Sequence, residues 1–156
     1  MALVLGVLIA AAVVRSQPLD PLGLAVVPAP SASSADCARL LAALPDTLDG
    51  GELGSLQRRP LAAPAPAGAA AWGDPPVVLR CGLDRPPGLT VTSRLLVVSG
   101  VQMLEIVSPG TSTWATVDRP VYVVVDLPPI SGSGPLQQIA NVIANTLPQQ
   151  DVDIPH

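Results

Sequence analysis

Trp72-Gly73-Asp74-Pro75-Pro76-Val77-Val78-Leu79-Arg80-Cys81-Gly82 sets a large aromatic, a turn, an apolar run, an arginine and one of two cysteines within eleven residues. Gly-Asp-Pro-Pro cannot extend a sheet ladder, because proline has a fixed φ and no N–H to donate. Val77–Cys81, rich in β-branched and apolar side chains, is expected as a strand. The rest of the chain is therefore read around a strand that Cys81 can staple to another element.

Upstream, Cys37, Leu40, Leu41 and Leu44 fall at i, i+3, i+4 and i+7, which places them on one face of a short helix. Asp36 or Ser34 can cap its start, and Pro45 ends it. Asp46 to Ala71 reads as a long connection, with a turn at Asp49-Gly50-Gly51 and a mostly Ala/Pro stretch from Leu61. Downstream, Asp84–Gly88 is a turn by composition, and Leu95–Val98 and Val101–Val107 are strands around the tight bend Ser99-Gly100. Thr113–Val117 is a further short strand. In Val121–Leu127 the residues Val121, Val123, Val125 and Leu127 alternate with Tyr122, Val124 and Asp126, the pattern of a strand with one buried face. Leu136, Ile139, Ile143 and Leu147 line one face of a second helix from about Pro135 to Leu147. The expected fold class is α+β: an antiparallel sheet of about four strands, an N-terminal and a C-terminal helix on one face, and one disulfide.

Four regions follow from composition. Residues 1–16 contain the uncharged run Leu3–Val14, which is short for a membrane span and suits a signal-peptide core, so a signal peptide or membrane anchor is expected. Residues 17–35, rich in Pro, Ala and Ser, read as an extended, unpacked linker. Residues 36–148 form the expected extracytoplasmic domain, and 149–156 a flexible tail.

Composition also excludes functions. Net charge is −4, and no basic run exceeds two residues, so the clustered positive surface needed to displace phosphate counterions is missing. Trp72, Trp114 and Tyr122 are the only aromatics, too few for a base-stacking platform. No nucleic-acid partner is expected. The chain has no lysine, so lysine chemistry is excluded, and its single histidine is the terminal His156, far from any site that would hold a triad. No phosphate loop or dinucleotide fingerprint occurs. Asp46, Asp49, Asp84 and Asp118 are scattered over turns, where turn formation and solvation explain them. Asp151-x-Asp153 with His156 imitates metal-ligand spacing on a chain end, and no metal or cofactor is expected.

Three features remain as candidate sites. Cys37 and Cys81, far apart behind an export-like segment, fit a structural disulfide; two free thiols or a redox switch are the alternatives. Arg58, Arg59 and Arg80 could converge to hold a carboxylate or phosphate, with Arg80 pairing to Asp74 or Asp84 as the structural alternative. Trp72 either buries its ring under the sheet with its N–H on backbone or presents a recognition surface.

Trp72-Gly73-Asp74-Pro75-Pro76 followed by Val78-Leu79-Arg80-Cys81-Gly82, with Cys37 in Cys-x-x-Leu-x-x-x-Leu-Pro, resembles an uncharacterised actinobacterial family, the domain of unknown function 3515. Arg58-Arg59, Gly100-Val101 and Arg119-Pro120-Val121-Tyr122-Val123 are similar to it too, so the likeness spans roughly Cys37 to Pro148. Met103 departs from it, standing where a tryptophan is expected. The resemblance implies an envelope protein with an N-terminal anchor or signal, and it carries no activity or ligand.

The expectation is an extracytoplasmic cell-envelope protein, membrane-anchored through an uncleaved N-terminal segment or secreted. It would act without catalysis, as an interaction or accessory domain for an envelope protein or cell-wall component. The alternative is a binder or weak hydrolase of a small anionic or cell-wall-derived ligand, built on Arg58, Arg59, Arg80, Trp72 and Asp74.

Overall fold

A computed structural model of the chain describes residues 18–155, so the expected signal peptide or anchor at 1–16 and His156 lie outside the described residues. Helix α1 (Ala35–Ala43) leads into strands β1 (Thr47–Asp49), β2 (Ser55–Arg59), β3 (Ala69–Trp72) and β4 (Val77–Leu83). Then come β5 (Leu95–Val98), β6 (Val101–Ser108), β7 (Thr111–Thr116), β8 (Tyr122–Leu127) and helix α2 (Gly134–Thr146). The strands form one sheet in the order β1-β2-β3-β4-β8-β7-β6-β5, with every neighbouring pair antiparallel.

The sheet has eight strands where about four were expected. β1, β2 and β3 arise within the stretch read as a long connection and its junction with Trp72. Their sequences, Thr-Leu-Asp, Ser-Leu-Gln-Arg-Arg and Ala-Ala-Ala-Trp, show little β propensity. They become strands because β4 offers an edge: Ala69, Ala70, Ala71 and Trp72 pair with Arg80, Leu79, Val78 and Val77. Arg58 and Arg59 then pair with Trp72 and Ala71. Tertiary pairing overrides local preference here.

Both helices cover one face of the sheet. Leu40 and Leu44 of the first helical segment and Leu136, Ile139, Ile143 and Leu147 of the second share one core with Trp72, Val77, Leu79, Val123, Val125 and Leu127. Ser34 caps α1 by accepting a hydrogen bond from the Cys37 N–H at 3.2 Å. The alternation expected in Val121–Leu127 holds, with Val121, Val123, Val125 and Leu127 buried. Ser99 and Gly100, with φ of 46° and 82°, make the two-residue turn between β5 and β6, since a primed turn needs positive φ at both positions.

The opposite face is covered by chain ends and loops. Leu89, Leu104 and Val117 form a smaller cluster joined by Val152, and Gln150 N–H donates to the Asp118 carbonyl at 2.9 Å. The segment read as a flexible tail is thus held against the sheet as far as Val152. Of the stretch read as an unpacked linker, residues 18–29 form no helix or strand beyond one bridge and 30–33 form a turn, and the segment is packed on the domain. Leu22 bridges Leu61 in parallel, and Ser31 N–H donates to the Gly82 carbonyl at 3.0 Å. Gly82 sits in a bulge of β4 at φ +86°, where an added Cβ would lie 2.3 Å from Ser31 and Ala32 backbone atoms. Only glycine permits that approach.

Candidate functional site

The stretch Trp72–Gly82 folds as the fastening point of the domain. The Cys37–Cys81 disulfide joins α1 to β4 with a Cα–Cα separation of 5.7 Å and both residues fully buried, and no cysteine is free. A disulfide suggests a non-cytoplasmic location. Among the described residues no helix is long and apolar enough to cross a membrane.

Trp72 ends β3 and is fully buried on the helix face, its indole N–H donating to the Pro45 carbonyl at 2.9 Å. A ring of that size closes the core beside Val77, and the hydrogen bond satisfies its one polar atom. Trp114 is half-buried, its N–H on the Ser112 hydroxyl at 2.7 Å.

The three arginines do not meet in one pocket. Arg58 lies over the Trp72 ring at 5.0 Å, a cation–π contact on the helix face. Burial lowers the affinity of its guanidinium for the proton, and the Asp46 carboxylate opposes that shift. Arg59, its neighbour along the strand, points to the other face. It donates to the Asp20 carbonyl at 2.8 Å and the Gly73 carbonyl at 3.3 Å and lies 3.9 Å from the Asp74 carboxylate. Arg80 is on that same face, two strands from Arg59, or roughly 10 Å across the sheet. It forms no ion pair with Asp74 or Asp84. Instead it lines an apolar cleft of about 160 Å³ under Val26, Val27 and Ala29 of the docked 18–34 segment.

A larger recess was not evident from the sequence. At one end of the sheet, on the face away from the helices, Val78, Asp126 and Thr113 form a cross-strand row over β4, β8 and β7. The row floors a cleft of about 570 Å³, within the range of small-ligand and side-chain pockets. Its walls come from three places: Pro75 and Pro76 between β3 and β4, Ser108, Gly110 and Thr111 at the β6–β7 turn, and Leu127–Ile130 at the end of β8 and beyond it. Thr113 donates its hydroxyl to the Asp126 carboxylate at 2.6 Å, which orients the acid and leaves its second oxygen to accept elsewhere. At the mouth, Ile130 is 54 % exposed. The signal in the sequence was a lone aspartate in an otherwise apolar strand, with Pro128-Pro129 behind it.

A second polar group was also read differently from sequence. Asp118, expected to be solvated in a turn, is fully buried beside Arg119, with 2.9 Å between Asp118 Oδ1 and Arg119 Nη1. Arg119 donates to the Asp118 and Gly100 carbonyls, while neither Asp118 oxygen has an aligned hydrogen-bond donor. The pair ties the β7–β8 connection to the β5–β6 turn. Among the described residues, no group of His, Cys, Asp and Glu side chains is placed to hold a metal ion.

No curated protein and no solved structure matches this chain. A family model described as "Protein of unknown function (DUF3515)" matches residues 1–152, and the chain belongs to that family.

Proposed function

We propose that the protein is an extracytoplasmic cell-envelope domain that acts by binding a partner protein and performs no covalent chemistry. The observation that carries this reading is the exposed apolar end of the sheet. There Pro75, Pro129 and Ile130 are exposed around a preformed cleft, and exposed apolar side chains rimmed by polar groups mark interaction surfaces. The disulfide supports the location, since such bonds persist in oxidising compartments. Anchoring through residues 1–16 would hold this surface near the membrane, with the docked 18–34 segment setting the exit point of the chain.

Photo-crosslinking in intact cells tests the reading. A photoreactive residue at Ile130 should give one discrete adduct, and the same residue at Val26, on the 18–34 segment, should not. Equal labelling at both positions, or native material with two free thiols, would refute it.

A further inference from the structure

We propose that the cleft floored by Val78, Asp126 and Thr113 receives an arginine or lysine side chain flanked by apolar residues, carried on a segment of the partner protein. The inference rests on the reading that this end of the sheet binds a partner, and it adds the chemistry of what is bound.

The argument is one of complementarity. Asp126 is the one charged side chain lining the cleft, and no arginine lines it. None of the ion pairs among the described residues involves Asp126. Its internal partner is a neutral hydroxyl, that of Thr113, which fixes the direction of the carboxylate without neutralising it. A half-buried carboxylate held in this way is electrostatically incomplete, and a cation with N–H donors is the group that completes it. Anions are disfavoured for the same reason.

The walls decide the rest of the ligand. Pro75, Pro76, Pro128 and Pro129 offer no N–H donors, and their fixed φ gives the cleft its shape before anything binds. Val78, Leu127 and Ile130 add apolar surface along which the methylene stem of a long cationic side chain can lie. A bare, strongly hydrated cation would gain nothing from those walls. With three aromatics in the whole chain and none in the cleft, the stacking platform used to grip proline-rich ligands is absent from this site.

The test uses the 15N-labelled full chain in its oxidised form and two peptides, acetyl-Leu-Arg-Leu-amide and the same peptide with norleucine for arginine. Amide shifts should saturate with the arginine peptide and centre on Val78, Thr111, Thr113, Asp126 and Ile130. The norleucine peptide should bind about tenfold more weakly, as expected for loss of a charge-assisted hydrogen bond. Asp126→Asn should produce the same weakening toward the arginine peptide, and Thr113→Val a smaller one, with thermal midpoints unchanged. Binding should fall with added salt. Equal affinity for the two peptides overturns the proposal, as do shifts centred on Arg80 or no saturable shift up to roughly 10 mM peptide, a limit near 3 kcal/mol of binding. An Ile130 crosslink in cells combined with equal peptide affinities would leave the interaction reading standing and remove this one.

Discussion

Removing the disulfide by the paired substitution Cys37→Ala and Cys81→Ala should destabilise the domain by about 4 kcal/mol in the chain-entropy model. The two cysteines are 44 residues apart, so the bond closes a loop that contains β1, β2, β3 and the connections between them. Without it the unfolded chain recovers the freedom of that loop, and with about 45 residues in it the logarithmic law yields the figure above. Alanine is chosen because a buried serine pair would add two hydroxyls to an apolar site, which confounds the entropy term with a desolvation penalty. Since domains of this kind are stable by about 5–15 kcal/mol, the loss is a large share of the total. The thermal midpoint should fall by roughly 12–16 °C for a domain of this length. Guanidinium unfolding measures the first quantity and a thermal scan the second, both followed by tryptophan fluorescence because Trp72 is fully buried in the folded state. The denaturant slope should rise in the variant, since an uncrosslinked unfolded chain exposes more surface. A change below about 1 kcal/mol with an unaltered slope would show that α1 is held by its leucines alone.

Three further outcomes are expected. Gly82→Ala should detach the 18–34 segment, because its Cβ would lie 2.3 Å from Ser31 backbone atoms at a φ of +86°; faster hydrogen exchange at the Ser31 amide and new proteolysis within that segment are the measurements. Tyr122 has its pKa raised above the ordinary 10.0, first by burial and then by the nearby Asp153 carboxylate, with Arg85 opposing. The unfolded chain therefore releases this proton at lower pH than the folded one, so stability falls as pH rises from about 10 through the folded value. Tyr122→Phe should flatten that alkaline limb, and absorbance of the single tyrosine reads the titration directly. Asp118→Ala should cost about 3–5 kcal/mol in urea unfolding, because it leaves the Arg119 charge buried without its carboxylate; a loss under 1 kcal/mol would mean that the Gly100 and Asp118 carbonyls suffice for Arg119.

Residue spacing determined a good deal. The i, i+3, i+4, i+7 pattern placed Cys37 on the buried face of α1, and strict alternation placed Val121, Val123, Val125 and Leu127 on the core side of the last strand. Both are local periodicities, which a sequence states outright. The mixed fold followed from them, and the cysteine pairing from there being two cysteines, far apart, behind an export-like segment. The strands β1 to β3 were not legible, since Ala69–Trp72 and Ser55–Arg59 become strands only when β4 supplies a ladder to pair with. The cleft was hidden for a related reason. Pro75, Thr113 and Asp126 are distant along the chain, and the antiparallel registers of β4, β8 and β7 bring them together. Adjacent arginines looked like a shared site, but neighbours on a strand point to opposite faces, so Arg58 went to Trp72 and Arg59 to Gly73 and Asp20. Periodicity and cysteine count settle what each segment buries; which side chains meet depends on strand order and register, and these are set by long-range pairing.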